Sequence, residues 1–168
     1  MAFKHLLVPT DFSVPSNNAL RYANEEALLH HAKVTLLHVL PPDTRTHVHY
    51  VTGAPIETAQ GGFDPVVGGS ALLSAPEVVR HDRSEEALTQ LRDLVARVFQ
   101  GPSEIAVAMG HPADTIVRVA QEGSADLIVM STHGRTGLPH VLLGSVAEKV
   151  VRLAPCPVLT IKYRGGSD

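Results

Sequence analysis

The chain's 168 residues match the length of one compact domain, and a chain of this size buries about two-thirds of its unfolded surface. Apolar residues make up 44% and charged residues 18%, with four Phe, three Tyr and no Trp, which excludes a disordered chain and requires a core of Val, Leu, Ile and Ala. A formal charge of -3 provides no general field for nucleic acid or anionic lipid and leaves room only for a local anion site.

Phe3 to Pro9 is a short apolar run that predicts the first strand. Ser13 is an N-cap followed by Pro15, and Ala19, Leu20, Ala23 and Ala27 recur at helical spacing as far as His30-His31, which predicts the first helix. Val34 to Val39 is the second strand. Nine of the 13 Gly and 12 Pro residues then fall between Pro41 and Ala75, so the irregular material is concentrated in one long loop. Ser74-Ala75-Pro76-Glu77 has capping-box spacing, and Ala87, Leu88, Leu91, Leu94, Val95 and Val98 trace one face of a second helix. Ile105 to Met109 forms the third strand. Pro112 opens a third helix with Ile116, Val117 and Ala120 on one side and Gly123 as its cap. Asp126 to Met130 is the fourth strand, Ser145-Val146-Ala147-Glu148 a second capping box opening a fourth helix that ends before Pro155, and Pro157 to Ile161 the fifth strand.

Strands without strict alternation, separated by helices, predict a three-layer α/β domain with an open parallel sheet covered on both faces. Residues 1–168 form one such domain, with a long irregular insertion at about 41–75. Right-handed crossovers limit the topology to a Rossmann-like or flavodoxin-like sheet, in which ligands sit beyond the carboxyl ends of the strands where the winding reverses. The insertion follows the second strand, which places it beside that crevice as a lid or a partner-binding surface.

A single cysteine, Cys156, excludes an internal disulfide and a cysteine-based zinc cluster, and it reads as a small buried hydrophobe. The apolar run at the amino end is too short for a signal sequence and no segment approaches a membrane span, so the expectation is a cytoplasmic protein with no membrane or nucleic-acid partner.

The familiar phosphate motifs are absent: there is no Gly-x-Gly and no Gly-Lys-Ser/Thr. There is also no Gly-x-Ser-x-Gly elbow and no His-Glu-x-x-His. What remains is the stretch from Met130 through Ser131, His133, Gly134 and Arg135 to Gly144, Ser145 and Val146, running from the fourth strand into the fourth helix. Its glycines allow backbone N–H groups to approach a phosphate, the helix start favours an anion, and Arg135 adds positive charge. The alternative is an ordinary loop in which Ser145 only caps the helix. Opposite, the first strand ends in Pro9-Thr10-Asp11, where a carboxylate can accept from an adenine amino group or a ribose hydroxyl, and Val39 and Met130 supply an apolar slot. Asp11 has its own alternative, capping the first helix together with Ser13.

These residues resemble the universal stress proteins. The resemblance covers nearly the whole chain: Val-Pro-Thr-Asp-Phe-Ser at 8–13, Leu-Leu-His-Val at 36–39, Asp-Leu-Ile-Val-Met-Ser-Thr-His-Gly-Arg-Thr-Gly-Leu at 126–138, Leu-Leu-Gly-Ser-Val-Ala-Glu-Lys-Val at 142–150 and Cys-Pro-Val-Leu at 156–159. It implies a five-stranded parallel sheet of order 3-2-1-4-5, of the Rossmann-like, adenine nucleotide alpha hydrolase-like type. It also implies a homodimer joined through the last strand and, in one subgroup, an ATP site, to which magnesium would come with the nucleotide. That subgroup's pattern is Gly, two residues, Gly, nine residues, then Gly followed by Ser or Thr. Gly134, Gly144 and Ser145 match it, and Ser131 stands where the first glycine would be. By resemblance Pro9, Asp11 and Val39 hold the adenosine with Met130 beside it, and Gly134, Arg135, Gly144, Ser145 and Val146 surround the phosphates.

His133 is near enough in sequence to approach a phosphate, though a loop histidine fixing its own turn is the simpler role; His47, His49 and Asp43 have metal-pair spacing but lie on the long loop and are read as solvated. No catalytic residue and no metal ligand is predicted, since Ser13, Ser131 and Ser145 lack a base and an orienting acid. The expected function is an ATP-binding stress-response regulator acting on its own dimer or on an unidentified protein partner, with slow hydrolysis at most. The alternatives are a nucleotide-independent interaction module and an ATP-hydrolysing or adenylyl-transferring enzyme.

Overall fold

The computed structural model describes residues 2–42, 51–52, 75–133 and 143–162. The elements in chain order are β1 (His5–Thr10), α1 (Val14–His30), β2 (Lys33–Leu40), β3 (Val51–Thr52), α2 (Ala75–Val98), β4 (Ser103–Met109), α3 (Pro112–Glu122), β5 (Leu127–Ser131), α4 (Ser145–Leu153) and β6 (Val158–Ile161). Strands β4, β2, β1, β5 and β6 lie in that order and run parallel, which is the expected 3-2-1-4-5 sheet counted over the parallel strands. The short strand β3 is not among the predicted elements. It adds to the β4 edge in the antiparallel sense, Val51 opposite Val107 and Thr52 opposite Ala106, from within the long stretch after β2.

Because side chains alternate along a strand, each strand feeds two cores. Leu6, Val8, Leu36 and Val129 point to one face and pack with Leu20, Ala23, Leu91 and Leu94 of α1 and α2. Leu7, Leu37, Ile128 and Met130 point to the other and pack with Ile116 and Ala120 of α3 and Ala147 and Val150 of α4. Ala19, Ala23 and Ala27 sit on the buried stripe of α1, where small side chains let the helix approach the sheet. Leu91 is fully buried in α2, and Leu91→Ala is expected to cost about 2–5 kcal/mol, read as a lower urea midpoint with an unchanged slope.

Gly123 is the C-cap of α3, as the sequence predicts, with φ -81, and Ser124 beyond it takes the left-handed turn at φ 51. Space, not φ, accounts for the glycine, since a Cβ there would lie 3.0 Å from the Val119 carbonyl oxygen. At α4 the capping box does not form: Gly144 is the N-cap, with no side-chain cap bond among the described residues, and Ser145 is already the first helical residue. The chain winds through the sheet in one direction from β1 to β2 and β4 and in the other from β5 to β6, so the reversal lies between the carboxyl ends of β1 and β5.

Candidate functional site

A cavity of about 290 Å³ opens at that reversal. Its walls include Pro9, Thr10, Asp11, Val39, Met130, Ser131, His133, Gly144, Ser145 and Val146, so every predicted site residue among the described ones reaches one cavity. Gly134 and Arg135, like His47, His49 and Asp43, lie outside the described residues. Sequence reasoning missed Ser16, Leu37, Pro112, Ile116, Thr132 and Ala147, which also line it. Leu37 has the parity of Val39 on β2, and Pro112 opens the helix after a strand carboxyl end, so both were within reach of the pattern; Ser16 enters only through the fold of the β1–α1 turn.

That turn is built from hydroxyl groups. Ser13 caps α1 by accepting from the Ser16 amide at 3.3 Å, and its own proton goes to Asp11 Oδ1 at 2.6 Å. Asp11 Oδ1 also accepts from the Ser13 amide at 3.1 Å, so the helix-capping role of this carboxylate is present while the residue still lines the cavity. The Ser16 hydroxyl donates to the Ser13 carbonyl at 2.9 Å, which leaves the Thr10 hydroxyl to donate to Ser16 Oγ at 3.1 Å. Phe12 turns the chain with a left-handed φ of 64 and lays its ring against His38, 4.4 Å between centroids. His38 Nδ1 donates to the Thr10 carbonyl at 2.8 Å, and the end of β1 is thereby held from both sides.

Across the cavity, β5 ends in the buried residues Met130 and Ser131, and the buried Thr132 follows it. Thr132 is tied to the last strand by its amide donating to the Ile161 carbonyl at 3.0 Å. The Ser131 hydroxyl donates to the His133 carbonyl, and Thr132 Oγ1 lies 2.8 Å from His133 Nδ1, so the histidine does fix its own turn. Gly144 closes the base of the intervening loop, its amide donating to the Thr132 carbonyl at 2.7 Å. The first N–H groups of α4 have no intrahelical partner, among the described residues no side-chain cap bond is made to them, and Ser145, Val146 and Ala147 all border the cavity. An amino end of this kind, carrying the positive pole of the helix dipole, suits an anion.

The site therefore has three parts: an apolar slot of Pro9, Leu37, Val39 and Met130, a carboxylate at Asp11, and a helix start at Gly144. Cys156 lies apart from it, packed against the α3–α4 core. Burial, reinforced by the Asp126 carboxylate, raises its thiol above the ordinary value, so it is protonated at neutral pH. Among the described residues no helix is long and apolar enough to cross a membrane and no cluster of three or more metal-binding side chains is present.

The sequence matches the Universal stress protein family over residues 2–62 and 63–162. A universal stress protein of Methanocaldococcus jannaschii is 34% identical over 160 residues, covering 95% of this chain and 82% of that protein. Two solved structures share the fold. One is a universal stress protein in complex with cAMP, with a TM-score of 0.63 at 22% identity over 96% of this chain and 98% of that one. The other is the universal stress protein from Archaeoglobus fulgidus in complex with dAMP, with a TM-score of 0.60 at 24% identity over 96% and 100%. With this match spanning both sides of the long loop and nearly the whole length, the chain belongs to the universal stress protein family.

Proposed function

We propose that this single-domain protein binds ATP or a related adenine nucleotide in the cavity at the sheet reversal and serves a stress response as a regulator, with slow hydrolysis at most. One observation carries the reading: an apolar slot ending in a carboxylate faces, across one cavity, a helix amino end that has no side-chain cap among the described residues. The slot suits the faces of a purine, Asp11 accepts from a ribose hydroxyl or amino group, and the N–H groups at the start of α4 receive the phosphates. Gly134 and Arg135 complete the phosphate seat in this reading. Thr10 contributes backbone, because its hydroxyl is spent on Ser16. The cavity is at the lower end of the usual range of about 300–1,000 Å³, which fits base and sugar inside and phosphates at the mouth. The relatives solved with cAMP and dAMP support an adenine ligand.

Asp11 and His133 are the acidic and basic side chains among the described cavity residues, and both are engaged within the protein, Asp11 by Ser13 and His133 by Thr132. Neither is set up as a general base for an attacking water, which favours binding over turnover. The same reading includes a cytoplasmic setting and a homodimer through β6. Isothermal titration with ATP, with and without magnesium, is expected to give one saturable site per chain. No affinity at millimolar nucleotide in either condition would overturn the proposal and favour an interaction module that needs no nucleotide.

A further inference from the structure

Asp11 borders the cavity, and Ser13, which holds it, is not among the described residues that line that cavity. Ser13 places both of its donors on one carboxylate oxygen: its amide lies 3.1 Å and its hydroxyl 2.6 Å from Asp11 Oδ1. Between them Phe12, left-handed at φ 64, folds residue 13 back toward residue 11, and its own amide donates to Thr10 Oγ1 at 3.1 Å. The Ser13 proton has a second acceptor within reach, Ser16 Oγ at 3.4 Å, and the shorter approach to a charged oxygen decides for Asp11. The Ser13 oxygen meanwhile caps α1 by accepting from the Ser16 amide, so one hydroxyl serves the helix with its lone pair and the carboxylate with its proton. A carboxylate gripped by two donors on one oxygen is restrained in both of its side-chain torsions, and Ser13 can reach a ligand in the cavity only through Asp11.

We infer that Ser13 is a positioning residue of the nucleotide site, holding the Asp11 carboxylate in its binding orientation before the ligand arrives. The inference deepens the nucleotide reading above and rests on it. An aspartate free to rotate would have to be ordered on binding, and ordering one side chain costs about 2- to 10-fold in affinity. ATP is titrated into wild type, Ser13→Ala, Asp11→Ala and the double variant, and the thermal midpoint of each is recorded. Ser13→Ala is expected to weaken ATP binding by about 2- to 10-fold, Ser13→Thr to restore it, and Ser13→Ala to cost nothing further once Asp11 is replaced. The midpoint, which reads the lost helix cap, is expected to fall in both backgrounds. Ser13→Gly removes the hydroxyl at little cost to the cap and takes the place of the alanine variant should that fold poorly. An equal loss of affinity with and without Asp11 would make Ser13 a helix cap alone and overturn the inference. So would a Ser13→Ala protein that binds as wild type does, or a threonine variant as weak as the alanine one. If Asp11→Ala binds ATP like wild type, the carboxylate makes no contact and the inference falls while the nucleotide site stands. If wild type binds no ATP, the nucleotide reading falls first and the inference with it.

Discussion

Gly144→Val is expected to lower ATP affinity by about 10- to 100-fold while leaving adenosine affinity nearly unchanged. The conformation at Gly144, φ -69 and ψ 154, is open to any residue, so backbone freedom is not what glycine supplies. It supplies space: a Cβ at this position would lie 2.9 Å from the Thr132 carbonyl oxygen and 3.8 Å from the His133 Cα. The obstructing atom is backbone, and Thr132 is itself fastened to Ile161, so relief comes by shifting the start of α4. That shift weakens the 2.7 Å bond from the Gly144 amide to Thr132 and displaces the N–H groups meant for the phosphates. A hydrogen bond to a charged group is worth about 1.5–3 kcal/mol, and the loss of one sets the expected range. Adenosine has no phosphate and serves as the control for the slot. Titration of both ligands against both proteins measures the ratio, with the thermal midpoint confirming that the variant is folded. Equal ATP affinities would place the nucleotide away from α4.

The parallel strands were legible because each is a short apolar run buried on both faces, and the reversal point followed from their alternation with helices. The strand-end part of the cavity wall followed from the same rule, since Pro9, Thr10, Asp11, Val39, Met130 and Ser131 lie at or just after strand ends. Three things were not legible. The β3 strand is two residues long, and its pairing with Val107 and Ala106 is a tertiary event with no local signature. The left-handed positions at Phe12, His31 and Ser124 carry side chains, so a reading that looks for glycine at positive φ passes them by. The N-cap of α4 slipped by one residue because Ser145 and Glu148 have the spacing of a capping box, while the bond from Gly144 to Thr132 holds the chain extended one position earlier. That single shift changes the chemistry of the site: a serine at the cap would consume an N–H with its own hydroxyl, whereas glycine at the cap leaves the N–H groups to a ligand.

Thr160→Pro is expected to convert a dimer into a folded monomer. In a parallel ladder the N–H and C=O of one residue point to the same side, and successive residues alternate sides. The Pro157 carbonyl accepts from Ile128 and the Ile161 carbonyl from Thr132, so residues 157, 159 and 161 face β5. Val158 and Thr160 therefore direct their backbone groups outward, to an edge that no other described strand covers. In the proposed dimer a twofold axis beside this edge would pair two copies of β6 antiparallel through those two residues, and the exposed Val151 and Leu153 of α4, the helix that leads into β6, would add apolar surface. Proline at 160 removes one outward N–H and sets its ring on the edge, without touching the bonds to β5, and edge positions of this kind accept proline. Sedimentation velocity across a concentration series is expected to show a dimer for wild type and a monomer for the variant, with circular dichroism unchanged. A variant that still dimerises would move the interface off β6, and a wild type that stays monomeric throughout the series would remove the dimer from the reading while leaving the nucleotide site, which lies within one chain, as it stands.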